Sequence, residues 1–252
     1  MTEAGAVASD EIVAEETAVA LVYNGVSHAV MMATPCDLED LARGFSLTER
    51  IVEAASEIFD VEIEPAGRGI EVRLRIAGQR MAALQERRRN LAGRTGCGLC
   101  GVESLEAALR PVAVETGTST VSRRAVERAM AALPAEQRLN GVNGATHAAG
   151  WADADGRLLA VREDVGRHNA IDKLAGALTR GTLAGDGFVV VTSRCSYEMV
   201  QKAAAIGASA IAAVSAPTSL AIETAEQAGI ALVAFVREGR LTVYAHPERI
   251  VA

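Results

Sequence analysis

The fold of this chain is decided by residues 187–214, GFVVVTSRCSYEMVQKAAAIGASAIAAV. Gly187–Thr192 and Ser209–Val214 are short, continuous apolar runs of strand length, and residues 196–206 between them have the spacing of a helix that ends at Gly207. A strand, a helix and a second buried strand form a right-handed crossover, which places the two strands parallel in one sheet. The stretch therefore predicts an α/β fold.

The same alternation extends along the chain in both directions. Upstream, the apolar run Leu158–Val161 precedes a helical pattern at 167–180. Downstream, a helical pattern at 217–228 leads into the apolar run Ile230–Val236. Residues 119–252 are therefore expected to form one domain around a mixed, largely parallel sheet.

The first part of the chain has a different pattern, which is typical of hairpins. Ala18–Tyr23 and Val26–Met32 flank Asn24-Gly25, a dipeptide that suits a type I′ turn because both residues tolerate positive φ. Phe59–Glu64 and Ile70–Ile76 alternate apolar and charged residues on either side of a glycine-containing turn. Both pairs predict half-buried hairpins.

Two helical patterns accompany these hairpins. Asp37 is expected to cap a helix that runs to Leu47, and residues 79–90 form a second helical pattern. Residues 17–118 would then make a smaller, hairpin-rich α+β domain, which follows an acidic, disordered tail at 1–16.

The composition limits the class of protein and its location. The 252 residues, half of them apolar, can build one large core or two small ones. A net charge of −7 argues against nucleic-acid binding, because phosphate contacts need a basic face. The N-terminus lacks the basic and apolar segments of a signal peptide, and the longest apolar stretches are too short to span a bilayer. We therefore expect a cytoplasmic protein that binds neither nucleic acid nor membrane.

The sharpest chemical feature is the dithiol Cys97-Gly-Leu-Cys100 in a glycine-rich segment. Such a pair can be half of a zinc site, a redox dithiol or a sulfur carrier, or it can be a structural turn. Arg87–Arg89 and Arg94 lie just upstream, and nearby positive charge lowers the pKa of a thiol and favours the reactive thiolate. A sulfur carrier also needs a loop that travels between donor and acceptor, and the flanking glycines would allow this.

Other motifs are less convincing. Gly96–Gly101 matches a dinucleotide-binding fingerprint, but no strand precedes it. A zinc site would need two further ligands, and His147, His168 and His246 form no second ligand pair. His246-Pro-Glu248 matches part of the zinc deaminase signature, but it follows the dithiol instead of preceding it. We therefore predict no protein-ligated metal.

A polar or basic loop follows each strand of the predicted parallel sheet. Ligands of open α/β sheets bind beyond the carboxyl ends of the strands. Helix N-termini attract anions there, and arginine side chains suit phosphates. Each residue taken alone is more readily explained by helix capping or by solvation, but the four loops together predict an anion pocket. Its expected borders are Arg167, His168, Ser193, Arg194, Ser215, Arg237 and Arg240.

Seven ordered strings resemble those of a known family. They are TGCGLCG (95–101), GATHAA (144–149), EDVGRHNAIDK (163–173), SRCSYEMVQK (193–202), VSAPT (214–218), FVREGR (235–240) and YAHPER (244–249). These strings resemble the formate dehydrogenase accessory sulfurtransferases, the FdhD family. The similarity runs from about residue 18 to the C-terminus.

The resemblance implies a function. Members of the family take sulfur from a cysteine desulfurase as a persulfide and pass it to the molybdenum or tungsten bis(pterin guanine dinucleotide) cofactor of formate dehydrogenase. Cys97 would be the persulfide carrier and Cys100 its partner. The C-terminal domain would have a cytidine-deaminase-like fold without the zinc ligands, and the protein would be a homodimer. The residues implied to hold the cofactor are Phe235, Val236, Arg237, Glu238, Gly239 and Arg240.

The leading hypothesis is therefore a sulfurtransferase. The main alternative is a non-catalytic chaperone that binds the cofactor and docks on the catalytic subunit of formate dehydrogenase. A thiol redox protein is the third possibility.

Overall fold

The structure, a computed structural model, describes residues 10–92, 119–180, 186–237 and 239–252. The predicted sulfur-carrying residues Cys97 and Cys100 lie outside the described residues, as do Glu238 and the predicted domain boundary at 118. The dithiol and the domain boundary therefore stay predictions.

The N-terminal lobe, residues 17–92, is built on a four-stranded sheet. Its strands lie in the order β2-β1-β4-β3. Both predicted hairpins are confirmed, and β1 additionally pairs with β4 in parallel. Asn24 and Gly25 have φ angles of 47° and 82°, as a type I′ turn requires. The strands are β1 (Thr17–Tyr23), β2 (Val26–Ala33), β3 (Ile58–Ala66) and β4 (Gly69–Ile76).

Two helices complete this lobe, α1 (Leu38–Thr48) and α2 (Gly78–Ala92). Apolar residues of both helices pack with the sheet in one buried cluster. The predicted capping by the Asp37 side chain is wrong, because Asp37 adopts a left-handed conformation and makes no capping hydrogen bond. Its carboxylate instead lies 3.8 Å from the guanidinium of Arg162.

The C-terminal lobe, residues 119–252, is built on a six-stranded mixed sheet in the order β11-β10-β9-β8-β6-β7. The central strands β8, β9 and β10 are parallel, and β6 runs antiparallel to both β7 and β8. The expected mixed α/β fold is confirmed. The strands are β6 (His147–Ala152), β7 (Leu158–Asp164), β8 (Phe188–Val191), β9 (Ala210–Ala213), β10 (Ala231–Arg237) and β11 (Arg240–Ala245). The short strands β5 (Val121–Ser122) and β12 (Ile250–Val251) form a separate parallel pair.

Helices cover both faces of this sheet. One face carries α3, and the other carries the three crossover helices, as the two buried clusters show. Gly207 and Gly229 have φ angles of 74° and 67° and end two of the crossover helices, as predicted. The helices are α3 (Arg123–Glu136), α4 (Asn140–Asn143), α5 (Arg167–Arg180), α6 (Tyr197–Ala205) and α7 (Ser219–Ala228). None of the described helices is long and apolar enough to cross a membrane.

The two lobes meet where α1 crosses α5. A Cβ atom on Gly44 would lie 1.7 Å from the Asp172 carbonyl oxygen, and one on Gly176 would lie 1.9 Å from the Asp40 carbonyl oxygen. Both positions therefore require glycine, and the backbones of the two helices touch. This contact places the start of α5 beside the segment that leads out of β2.

Candidate functional site

The candidate site lies at the carboxyl edge of the six-stranded sheet, which we define as the edge where β7, β8, β9 and β10 end. These four strands run in one direction, so the loops after them meet at the same edge, as the sequence predicts. Strands β6 and β11 run the opposite way and begin there. They add His147, which pairs with Asp164, and Arg240, which pairs with Arg237.

The loops after β8 and β9 are tied together by backbone hydrogen bonds. The Cys195 amide donates to the Ala216 carbonyl at 3.1 Å, and the Thr218 amide donates to the Cys195 carbonyl at 3.0 Å. Ser215 is half-buried, whereas Ser193 is buried and its hydroxyl donates to the Arg194 carbonyl at 2.9 Å. The Ser193 hydroxyl is therefore already used within the loop, while Ser215 lies at the surface of the edge.

Strand β10 ends in a bulge at Phe235. This residue has a φ angle of 53°, which is an unusual and strained conformation for a bulky side chain, and the register with β11 shifts between Ala234 and Arg237. Val236 is buried in the core, but Phe235 is only half-buried and belongs to neither buried cluster of the sheet. Strained residues of this kind concentrate at functional sites. The bulge thus keeps an aromatic side chain out of the core beside the candidate site.

Two arginines flank the turn that follows this bulge. Arg237 and Arg240 are directly opposite each other in the β10–β11 pairing, and both are exposed. Gly239 makes the turn with a φ angle of 72°. Its carbonyl accepts a hydrogen bond of 2.7 Å from the Arg123 guanidinium, which fixes the turn to the start of α3. The turn therefore presents two guanidinium groups on a short, anchored hairpin.

A third guanidinium and two imidazoles lie near the start of α5. The Nε atom of Arg167 is buried and, within the part of the chain that the structure describes, has no hydrogen-bond partner. Burial and the charge of Arg167 hold the pKa of His147 below its usual value. His168 lies 3.1 Å from the Glu198 carboxylate and 3.4 Å from the Ser196 hydroxyl, and its hydrogen bond lowers the pKa of Glu198. The arrangement favours an anion near Arg167.

The rest of the 163–173 string is internal. Asp172 is 1% exposed and Lys173 0%, so neither side chain is solvated. Glu163 is also buried, and its carboxylate accepts hydrogen bonds from the Leu139 and Asn140 amides at 2.8 and 2.9 Å. In the sequence, Asp172 and Lys173 stand between the apolar residues Ala170-Ile171 and Leu174. This position is the signal from which their burial could have been predicted.

The two described cysteines are poor sulfur acceptors. Cys195 is fully buried, and burial raises the pKa of its thiol to about 12. Cys36 is partly exposed, but burial raises the pKa of its thiol as well, despite the nearby ammonium of Lys173. Among the described residues, no group of three or more His, Cys, Asp or Glu side chains could hold a metal ion. The prediction of no protein-ligated metal stays open, because the dithiol is outside these residues.

Comparison with known proteins decides the family. The model of the FdhD/NarQ family matches residues 14–251. This chain belongs to the FdhD/NarQ family. The resemblance found in the sequence is therefore confirmed over nearly the whole chain.

Individual relatives agree with this family assignment. The sulfur carrier protein FdhD of Cupriavidus necator is 57% identical over 243 residues, 96% of this chain and 84% of the relative. The protein of the same name from Bordetella petrii is 53% identical over 98% of this chain and 89% of its own length. A crystal structure from Desulfotalea psychrophila, described as a candidate formate dehydrogenase accessory protein, has a TM-score of 0.77 and 26% identity. That match covers 100% of this chain and 96% of the other. The names of the two curated relatives agree with the expected sulfur-transfer role.

Proposed function

We propose that this member of the FdhD/NarQ family receives sulfur as a persulfide on Cys97. It delivers that sulfur to a molybdenum or tungsten bis(pterin guanine dinucleotide) cofactor held at the carboxyl edge. The observation that most supports ligand binding there is that Arg167, Arg237 and Arg240 all lie along the same edge of the sheet, with the Arg167 Nε atom unpartnered among the described residues. A ligand with two pyrophosphates suits such a set of guanidinium groups.

Loading would proceed by exchange between sulfur atoms. The Cys97 thiolate attacks the terminal sulfur of the persulfide on a cysteine desulfurase, the donor S–S bond breaks, and the donor cysteine leaves as a thiolate. In delivery, the terminal sulfur would pass from Cys97 to the metal centre of the cofactor substrate as a neutral sulfur atom. The S–S bonding electrons would stay with the cysteine, which returns as a thiolate, and the reduced metal centre would supply the two electrons of the new metal–sulfur bond. Cys100 would assist release or relay of the sulfur. The raised thiol pKa values of Cys36 and Cys195 support a carrier outside the described residues.

The segment 235–240 would hold the guanine dinucleotide. Arg237 and Arg240 would bind phosphate, and Gly239 allows the tight turn between them. The half-buried ring of Phe235 would lie against a guanine or pterin ring. Val236 would support the segment from the core, and Glu238, which lies outside the described residues, stays a predicted member of the site. Arg167, His168 and Ser215 would border the same ligand, and Ser193 would shape its loop from within.

The partners would follow from this role. A cysteine desulfurase would supply the sulfur, and the catalytic subunit of formate dehydrogenase would receive the sulfurated cofactor. We also propose a cytoplasmic homodimer. Light scattering of the purified chain tests the dimer, with a mass of one 26.2 kDa chain as the contrary result.

The decisive experiment separates loading from delivery. In the double variant Arg237→Ala/Arg240→Ala, calorimetry with GDP should show an affinity loss of about two orders of magnitude or more, since charge-assisted hydrogen bonds contribute about 1.5–3 kcal/mol each. Mass spectrometry after incubation with a desulfurase and cysteine should still find a persulfide on Cys97. The control variant Arg68→Ala/Arg75→Ala also removes two arginines, but from the N-terminal lobe. Arg68 lies in the turn between β3 and β4, and Arg75 lies near the end of β4.

Two results would contradict the proposal. Normal GDP affinity in the double variant would move the nucleotide site away from the hairpin. A Cys97→Ser variant that still sulfurates the cofactor would refute the assignment of Cys97 as the persulfide carrier and favour the chaperone alternative.

A further inference from the structure

The start of α5 is bonded to the segment that leads out of β2 in the other lobe. The Thr34 amide donates to Asp164 Oδ2 at 3.0 Å, and the Thr34 hydroxyl oxygen accepts from the Val165 amide at 3.1 Å. The Thr34 carbonyl accepts from Lys173 Nζ at 2.9 Å. All three polar groups of one threonine are therefore bonded to residues 164–173. We call Thr34, Asp164, Val165, Asn169 and Lys173 the Thr34 network.

A fully buried ion pair lies at the centre of this network. Lys173 Nζ is 2.7 Å from Asp164 Oδ2, and both side chains have no exposed surface. Asp164 Oδ1 accepts from the Gly166 amide at 2.8 Å and from the Asn169 side chain at 3.0 Å. Asn169 also donates to the Met32 carbonyl at 2.8 Å. Each charge is thus paired and hydrogen-bonded, which is the condition under which such a pair is tolerated inside a protein.

The bonds of the network lie on both sides of the candidate anion-binding residues. The Val165 and Gly166 amides are held just before Arg167 and His168, and the Asn169 side chain is held just after them. The side chains of Asp164, Asn169 and Lys173 are buried in these internal contacts and are not presented to a ligand. Stability alone gives little reason for such a pair, because a well-packed apolar pair of the same volume often stabilises a protein as much.

We propose that Lys173 and Asp164 are positioning residues. They fix the backbone at 165–166 against the N-terminal lobe and thereby set the placement of Arg167 and His168 at the carboxyl edge. The inference rests on the proposed function in one respect, namely that Arg167 contacts the bound nucleotide. An arginine that is moved out of reach of its ligand loses a charge-assisted contact, which is worth about 10- to 100-fold in affinity.

A second buried ion pair, between α5 and α6, provides a matched control. Lys202 Nζ lies 2.9 Å from Asp172 Oδ1 and is also bonded to Thr48 and Glu49 at the end of α1. It therefore joins the same two lobes through a lysine and an aspartate that are nearly buried. It makes no hydrogen bond to residues 164–166 among the contacts that the structure describes. Lys202→Met should cost stability as Lys173→Met does, without moving Arg167.

The experiment compares Lys173→Met, Lys202→Met and Arg167→Ala in the full chain. Thermal unfolding measures stability, calorimetry measures GDP affinity, and hydrogen exchange measures the amides of Thr34, Val165 and Gly166. We expect GDP affinity to fall about 10- to 100-fold in Lys173→Met and in Arg167→Ala, because each loses the charge-assisted contact of Arg167. It should stay within about twofold of wild type in Lys202→Met. The three amides should exchange faster in Lys173→Met only.

If Lys173→Met does not fold, the double variant Asp164→Asn/Lys173→Met removes both charges and leaves no unpaired buried ion. It should show the same loss of affinity. Normal GDP affinity in folded variants that lack the Lys173–Asp164 pair, while Arg167→Ala binds weakly, would refute the positioning role alone. Normal affinity in Arg167→Ala would refute the ligand contact on which the inference rests. Equal affinity losses in Lys173→Met and Lys202→Met would refute the positioning role, because they would show that the Thr34 network contributes only to stability.

Discussion

If the dithiol is the sulfur carrier, a Cys97→Ser/Cys100→Ser variant must lose persulfide formation, because neither remaining thiol can replace it. The thiolate is the reactive form. Burial raises the pKa of Cys195 to about 12, compared with about 8.5 for a free thiol. At pH 8 the thiolate fraction therefore falls from about one quarter to about one in ten thousand. Cys195 also has no exposed surface, so its reaction with iodoacetamide should be slower than that of a free thiol by about three orders of magnitude or more.

The assay is timed alkylation followed by peptide mass spectrometry, with and without urea. Cys36 should label slowly, since its pKa is raised but its side chain is partly exposed, and Cys195 should label only after unfolding. Cys36→Ser and Cys195→Ala serve as controls that should keep normal persulfide loading. The argument fails if the double variant carries a persulfide on Cys36 or Cys195, or if Cys195 in the native protein reacts as fast as a free thiol.

Three further predictions concern stability. Gly44→Ala places a Cβ 1.7 Å from a backbone oxygen and should lower the free energy of unfolding by about 3 kcal/mol or more, whereas Gly141→Ala, with nothing within 4 Å, should be nearly neutral in the same urea titration. Ser122→Ala removes the side-chain acceptor of the Ala125 amide at the start of α3, and urea unfolding should show a loss of about 1 kcal/mol. The unfolded chain loses the Cys195 proton near pH 8.5 while the folded chain keeps it up to about pH 12, so stability falls with rising pH across that window. Cys195→Ala should reduce this slope by up to about 1.4 kcal/mol per pH unit; an unchanged slope would contradict the prediction.

The sequence was most informative where the local pattern and the long-range structure agree. The type I′ turn at Asn24-Gly25 and the crossovers between β8, β9 and β10 could be predicted, because turn chemistry and apolar runs determine them. Strand β6 was missed as a strand, since its residues include a glycine and several alanines that give no alternating or β-branched signal. The left-handed Asp37 was also missed, because the contact with Arg162 that accompanies it is distant in sequence.

The candidate site was predictable to a similar degree. Four loops at one edge follow from the direction of the strands, so Arg167, Arg237 and Arg240 were found from the sequence. The bulge that turns Phe235 away from the core could not be predicted, since it depends on the register of β10 with β11. The spacing of residues within the string 163–173 also could not show that Lys173 is hydrogen-bonded to Thr34, which is 139 residues away in the sequence.

Buried charges along α5 explain how two separate lobes can present one site. The buried pairs Asp164–Lys173 and Asp172–Lys202 involve adjacent residues in the middle of the helix, and at its end Arg180, which is 45% exposed, pairs with the buried Asp40. Each pair either crosses to the N-terminal lobe or is hydrogen-bonded to it. An apolar interface tolerates a small slide between helices, but buried ion pairs are satisfied in one register only, and a slide would leave charges unpaired at a cost of several kcal/mol. The glycine contact between α1 and α5 adds a steric limit to the same motion. The orientation of the N-terminal lobe and the placement of the carboxyl edge are therefore set together, so the proposed cofactor would meet the two lobes as one rigid unit.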